Sequence, residues 1–374
     1  MDDIKRLNIQ QGQFTFAGKK DFKLESGKKF GPVTLVYETY GTLNAARDNA
    51  ILICHALTGN AHVAGKLPGE KKSNGWWDPV VGPGRPFDTN KYFIICSNIL
   101  GGCSGSTGPS SINPQTKKPY GMDFPIITIR DMVNAQHRLV TEHFGLSRLH
   151  AVAGGSIGGM QVLEWGVMYP DAVKHLLAIS TTHKLSSQAI AFNKIGRHAI
   201  MIDPSWKNGH YYGAPGKIRG LGLARMVAHI TYLSEEGMQN KFGRERTGHK
   251  DLFSFNEKFQ VENYLDHQSE KFMQRFDANS YIYLSKAMDL FDLTRGYRNL
   301  DAAVKRIRAK TLFIYFSSDW LFPEYQSAEM LESFQRNRKY ILSYKIESNS
   351  GHDAFLVEYD KLNPILQGFL DAPS

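Results

Sequence analysis

The stretch HAVAGGSIGGMQVLEWGVMYP, from His150 to Pro170, decides how this chain is read. An apolar run suited to a buried strand stops at Gly154-Gly155-Ser156-Ile157-Gly158-Gly159 and resumes as a helix. Strand, Gly-x-Ser-x-Gly, helix is the pattern of a nucleophile elbow, in which the glycines let the chain reverse sharply and leave the serine hydroxyl presented at the tip of a strained turn. The bland alternative is a glycine turn that merely packs a helix on a strand. The flanking elements and the residues downstream favour the reactive reading.

A serine hydroxyl is a poor nucleophile at neutral pH and needs a histidine base held in one tautomer by a carboxylate. Both partners belong in loops just past later strands, in the chain order Ser, Asp or Glu, His. Asp319 follows "FIYFSS" and His352 follows "YKIESNSG", each where the elbow requires it. The oxyanion of a tetrahedral intermediate needs two N–H donors. The amide of Ile157, at the start of the helix, supplies one, and Leu57 in "HALTGN", past the strand that begins at Ala50, is the choice for the other.

Working outward, short apolar runs at Val33 to Tyr40, Ala50 to Leu57 and Tyr92 to Leu100 read as strands buried between two layers. Thr128 to Phe144 places apolar residues at helical spacing, with Gly145 as its stop. Val173 to Thr181, Ala309 to Asp319 and Tyr340 to Ser348 read as further strands, with helices between Glu324 and Phe334 and after His352. This alternation predicts an α/β fold with a mainly parallel sheet and helices on both faces. It is interrupted after Thr182 by helix-like, polar-rich segments. The expected organisation is a core of residues 1–182 and 299–374 carrying an inserted helical cap, 183–298, over the carboxyl edge of the sheet.

At 374 residues and 42% hydrophobic, the chain has material for a large core. Its net charge of +9 is scattered, with only short clusters such as Lys71-Lys72, Lys117-Lys118 and Arg244-Glu245-Arg246, which argues against nucleic acid as a partner. Three cysteines (Cys54, Cys96, Cys103) make no disulfide framework and suit a reducing cytoplasm. The first ten residues carry Asp2, Asp3, Lys5 and Arg6 and no apolar signal region, and there is no run of 18 apolar residues. The expectation is a cytoplasmic protein without a membrane partner. The histidines do not cluster with cysteines or carboxylates at zinc-like spacing, so no metal is expected.

Seven stretches carry a wider likeness: LVYETYGTLN (35–44), CHALTGNAHVAG (54–65), GWWDPVVGPGRPFDT (75–89), GGCSGSTGPSSINP (101–114), GGSIGGMQVLEW (154–165), IDPSW (202–206) and SGHDAFL (350–356). Through them nearly the whole chain resembles the homoserine O-acetyltransferases of the α/β-hydrolase superfamily. Family members more often have methionine where Ile157 stands, a change of little weight at a position that supplies a backbone amide. The resemblance implies ping-pong transfer of acetyl from acetyl-CoA, through Ser156, to the hydroxyl of L-homoserine, for methionine synthesis, with acetyl-CoA as a substrate and no permanently bound cofactor. It also implies a zwitterion site. Arg225 matches the carboxylate-binding arginine and shares one helical face with His229 and Tyr232. Tyr232 matches a neighbouring substrate contact, Asp353 matches the residue that holds the substrate ammonium, and Thr58 lies in the substrate-contacting loop. A homodimer through the cap helices is implied as well. Relatives with the same triad transfer succinyl or use serine, and a hydrolase of small esters uses the same chemistry; Arg225 and Asp353 are the residues such a hydrolase would not need.

Overall fold

The computed structural model describes residues 7–19, 21–66, 74–214, 216–248, 253, 255 and 258–372. Asp2 to Arg6 and the Lys71-Lys72 pair lie outside them. Six strands and a helix open the chain: β1 (Gln10–Phe16), β2 (Phe22–Lys23), β3 (Lys29–Phe30), β4 (Val33–Tyr40), β5 (Ala50–Cys54), β6 (Phe93–Ser97) and α1 (Ile129–Arg138). Then β7 (Leu149–Gly155), α2 (Ile157–Met168) and β8 (Val173–Ile179) form the elbow region. Five helices follow, α3 (Ser187–Met201), α4 (Arg219–Tyr232), α5 (Glu235–Phe242), α6 (Gln260–Arg275) and α7 (Ala278–Asp289). The chain closes with α8 (Leu300–Val304), β9 (Lys310–Phe316), α9 (Glu324–Arg336), β10 (Ile341–Ile346) and α10 (Tyr359–Asp371).

Eight strands form one sheet in the order β1-β4-β6-β5-β7-β8-β9-β10. Among the described residues, the antiparallel pairings of this sheet are those of β4 with β1 and β6, and β2 and β3 pair antiparallel apart from it. Successive side chains of the central strands feed opposite cores. Leu52 and Cys54 of β5 and Leu176 and Ala178 of β8 join the cluster packed by α1 and α2, whereas Ile51, Ile53, Leu177 and Ile179 join the cluster covered by Trp77, Phe87 and α10. Burial on both faces is the reason these strands read as continuous apolar runs. The sequence pattern does not reveal β1, because QQGQFTF is an edge strand with mostly solvent-facing polar residues. The helix expected to reach Phe144 leaves α geometry after Arg138 and finishes as a π-helical turn, Leu139–His143. Gly145 then takes a positive φ of 60°, as its stop role requires.

Helices α3 to α7 meet the loops past the carboxyl ends of the strands. Arg275 donates to the Thr58 carbonyl at 3.0 Å, Trp320 Nε1 donates to the Leu233 carbonyl at 2.9 Å, and Ser234 Oγ donates to the Asn349 carbonyl. Three core loops are thus tied to these helices next to the elbow.

At the elbow, the positive φ belongs to Ser156 itself (φ 60°, ψ −126°), and none of the four surrounding glycines shares it. What the glycines supply is space. A Cβ on Gly158 would lie 2.1 Å from the Cys54 carbonyl oxygen, and one on Gly154 would lie 2.6 Å from the same atom. The first turn of α2 therefore sits directly against the end of β5. We predict that Gly158→Ala loses about 1–3 kcal/mol of stability, since backbone on both sides of the contact must move. Urea unfolding checks this, and a variant as stable as the parent chain would show the contact to be relaxed.

Candidate active site

Ser156 is the residue before α2, and its N–H donates to the Ile179 carbonyl at 3.0 Å while Thr181 Oγ1 donates to its carbonyl at 3.0 Å. The backbone strain of the tip is held by these bonds to β8 and its loop. His352 Nε2 lies 2.8 Å from Ser156 Oγ, and His352 Nδ1 lies 2.8 Å from Asp319 Oδ2. Asp319 stands three residues past β9, where its other oxygen accepts from the N–H groups of Leu321 and Phe322 at 3.1 and 2.9 Å. His352 sits in a 3-10 turn, Gly351–Leu356, beyond β10, and not at the head of a long helix. All three residues are buried. A carboxylate only accepts, so Nδ1 carries the imidazole proton and Nε2 offers its lone pair to the serine hydroxyl.

Burial alone disfavours the His352 imidazolium, but the charge and hydrogen bond of Asp319, with a contribution from Asp353, outweigh it and raise the pKa above its ordinary value of about 6.5. The arrangement holds a base whose protonated form is favoured by the Asp319 carboxylate, so it accepts a proton readily.

The two expected oxyanion donors flank Ser156. Ile157 is the first residue of α2, where an N–H has no intrahelical partner, and Leu57 lines the same recess as Ser156. Among the described residues neither amide donates to another group. The Leu57 amide is aimed by its neighbours. His55 Nε2 accepts from Ile99 N at 3.1 Å, so its Nδ1 carries the proton and donates to the Ala56 carbonyl at 2.8 Å; Gly59 N donates to the same oxygen at 2.9 Å. The Ala56–Leu57 peptide is planar and trans, so pinning its carbonyl points the Leu57 N–H the opposite way. Burial lowers the His55 pKa to about 4, which keeps this tautomer neutral across the working range. Sequence reading did not single out His55, whose role shows only once its two bonds are seen.

Beside the triad opens a cavity of about 560 Å³ lined by Thr58, Arg225, Lys271, Phe272 and Arg275, among others. Arg225 is buried, its guanidinium 4.8 Å from the Phe272 ring centre and 5.6 Å from that of Tyr232, yet its Nε and Nη1 have no hydrogen-bond partner. A buried donor left unpaired is costly, more so when charged, and is the mark of a site that awaits an acceptor. Arg275 and Lys271, four apart on α6, add positive charge, and burial together with the Arg225 charge pulls the Arg275 pKa down. These two were missed because nothing in α6 distinguishes them from an ordinary basic helix face.

Tyr232, at the end of α4, lines the recess beside Ser156, its ring 6.1 Å from that of His352. His229 is bonded through Nδ1 to Tyr264 at 3.0 Å, and burial, aided by the charges of Arg225, Lys241 and Arg275, pushes its pKa to about 3. Asp353 follows His352 and is coupled electrostatically to His352 and Arg225, with burial raising its pKa. Among the described residues it makes no hydrogen bond, and it lines neither the cavity nor the recess. Ser156, Leu57 and Tyr232 thus line the recess and Thr58 and Arg225 the cavity, whereas Asp353 lines neither.

A family model of the alpha/beta hydrolase fold matches residues 49–359. A homoserine O-acetyltransferase of Carboxydothermus hydrogenoformans is 55% identical over 353 residues, covering 94% of this chain and 93% of that protein. The crystal structure of homoserine O-acetyltransferase from Bacillus anthracis superposes with a TM-score of 0.90 at 32% identity, covering 97% of this chain and 98% of that one. Esterase E22 superposes with a TM-score of 0.88 at 29% identity, covering 97% and 100% of the two chains. Transferase and esterase share this fold, so the choice between them rests on the groups around Ser156.

We predict an acid limb in kcat/KM with a midpoint above about 6.5, activity rising with pH as His352 loses its proton. Asp319→Asn should lower kcat by about 10⁴-fold through loss of the correct tautomer. A pH profile of both proteins tests this; a flat parent profile between pH 5 and 8 would remove His352 as the base.

Proposed function

This chain belongs to the homoserine O-acetyltransferase family of the α/β-hydrolase fold, and from that premise we propose that it moves acetyl from acetyl-CoA to L-homoserine by a two-step exchange on Ser156. In the first step Ser156 Oγ attacks the thioester carbonyl while its proton passes to His352 Nε2. The oxyanion is held by the amides of Leu57 and Ile157, the C–S bond breaks, and His352 returns the proton to the departing thiolate. In the second step His352 takes the proton of the homoserine hydroxyl, whose oxygen attacks the acetyl-enzyme. Collapse forms O-acetyl-L-homoserine, for methionine biosynthesis, and returns the proton to Ser156.

The observation that carries the acceptor assignment is the buried Arg225 guanidinium with two unpaired nitrogens. A planar fork of this kind is shaped for a carboxylate. Asp353 supplies the negative charge for the substrate ammonium, Tyr232 bounds the acceptor near the hydroxyl, and Thr58 contributes to the cavity wall. Acetyl-CoA enters as a substrate through the basic cavity, and the chain needs no resident cofactor. An esterase for neutral esters would have no use for an unpaired buried arginine.

The same reading includes a homodimer through the cap helices. Ile195 and Ile202 on and just past α3, and Leu223 and Ile230 on α4, are 50, 64, 50 and 42% exposed. Each pair is seven residues apart and so lies on one face of its helix. An uncovered apolar face of that kind fits a protein partner.

Two predictions follow from these roles. Ser156→Ala should lower turnover by roughly 10⁴–10⁶-fold without unfolding. Arg225→Ala should still form the acetyl-enzyme from acetyl-CoA, seen by intact-protein mass spectrometry, while kcat/KM for homoserine falls by about 100-fold or more. Equal damage to both half-reactions would remove the carboxylate role. For the dimer, sedimentation should give twice the chain mass, and Leu223→Lys with Ile230→Lys should yield a folded monomer; an unchanged sedimentation coefficient would place the interface elsewhere.

A further inference from the structure

Two arginines line the basic cavity, and they are bonded differently. Arg225 leaves Nε and Nη1 without partners, whereas Arg275, the last residue of α6, donates through Nη1 to the Thr58 carbonyl at 3.0 Å. The buried Phe272 ring has both guanidiniums within cation–π range, Arg225 at 4.8 Å and Arg275 at 5.3 Å from its centre. A cation already bonded to backbone is less suited to a substrate anion than one with unpaired donors. Arg275 has a different task.

The carbonyl it holds belongs to the turn that carries an expected oxyanion donor. Gly59 N donates to the Ala56 carbonyl at 2.9 Å, which closes a β-turn with Leu57 and Thr58 at its centre. The Thr58–Gly59 peptide is one plane: its N–H holds the Ala56 carbonyl, and its C=O is held by Arg275. Rotation of that plane would swing the Gly59 N–H off the Ala56 oxygen and free the peptide whose other end is the Leu57 amide. His55 Nδ1 secures the same oxygen at 2.8 Å from the β5 side. Resting on the acyl-transfer reading above, in which the Leu57 amide faces the oxyanion, we propose that Arg275 is a positioning residue that fixes this amide from α6 through the Thr58–Gly59 peptide.

The residue types fit the task. A guanidinium donating to a carbonyl makes a charge-assisted bond, stronger than a neutral one. Polarising the Thr58–Gly59 peptide in this way also strengthens its N–H as a donor to Ala56. Gly59 leaves the turn little slack, since a Cβ there would lie 3.0 Å from the His55 Cβ and 3.3 Å from the Ala56 oxygen. A helix outside the sheet thus completes the oxyanion site.

The test separates positioning from anion binding with a donor that has no charge. Arg275→Ala and the parent chain are compared in p-nitrophenolate release from p-nitrophenyl acetate, with Ser156→Ala as the blank. Acetyl-enzyme formation at saturating acetyl-CoA, by quenched-flow intact mass, and KM for homoserine are measured beside it. Outright loss of one oxyanion donor costs about 10²–10³-fold, so a donor left in place but unsteadied is expected to cost about ten- to 100-fold. Both donors should lose this factor alike, while KM for homoserine moves by less than about threefold. Arg275→Lys, which keeps a charged donor, should recover part of the loss, and it carries the comparison if Arg275→Ala does not fold. Losses confined to acetyl-CoA or homoserine, with the uncharged ester as fast as in the parent, overturn the positioning role; so does a variant unchanged in all three measurements. Either result leaves acetyl transfer through Ser156 standing. That reading fails instead if Ser156→Ala forms the acetyl-enzyme as fast as the parent.

Discussion

The contact between the Cys54 carbonyl and the α-carbon of Gly158 sets the scale of the whole site. Because no side chain can stand between them, the end of β5 and the first turn of α2 are held at backbone contact. Leu57 lies three residues past that carbonyl and Ile157 one residue before that glycine. The two amides expected to face an oxyanion thus come from separate segments whose separation is fixed by one backbone approach, and Ser156 stands between them. Preorganisation of this kind costs nothing at the moment of reaction, because the donors do not need to move. Its cost is borne in folding, at the positive φ of Ser156 and in the amides left unbonded.

Much of this was legible in the chain because strong local constraints write themselves into residue types. Strands buried on both faces, such as β5 and β8, must be apolar throughout. The elbow needs small residues on both sides of its serine, and the carboxylate and imidazole must follow later strands. What those glycines do was less legible, since a glycine required for space and one required for positive φ are the same letter; here the serine takes the φ and the glycines make the room. The edge strand β1 was illegible for the opposite reason, with one face in water and little pattern to impose. His55 and Arg275 escaped notice because their roles depend on contacts across distant segments, the Ile99 amide for the first and the Arg225 charge and Thr58 carbonyl for the second; Lys271 escaped because its place on the cavity wall exists only in the fold.

The surroundings of Ser156 are divided by polarity. On one side Arg225, Arg275 and Lys271 concentrate positive charge in a cavity large enough for polar ligands to come and go. On the other, the recess is small, largely apolar, and joined to a cation already spent on Asp289. Low-dielectric walls strengthen the field of the basic side and penalise any charge that enters the apolar one.

The same division bears on how an acyl-enzyme at Ser156 would meet an amino acid and water differently. On the proposed role of Arg225, water reaching the acyl-enzyme brings its unpaired guanidinium nitrogens no carboxylate to pair with. An acceptor with a carboxylate satisfies them, and that recovered free energy is available to hold its hydroxyl against His352 Nε2. Removing the other partner of a buried charged group typically costs a few kcal/mol, about 1.5–3 for a charged hydrogen bond, which is a factor of roughly ten to a hundred in favour of the acceptor over water. On the role proposed for Arg225, its unpaired guanidinium is what suits a hydrolase framework to a zwitterion acceptor.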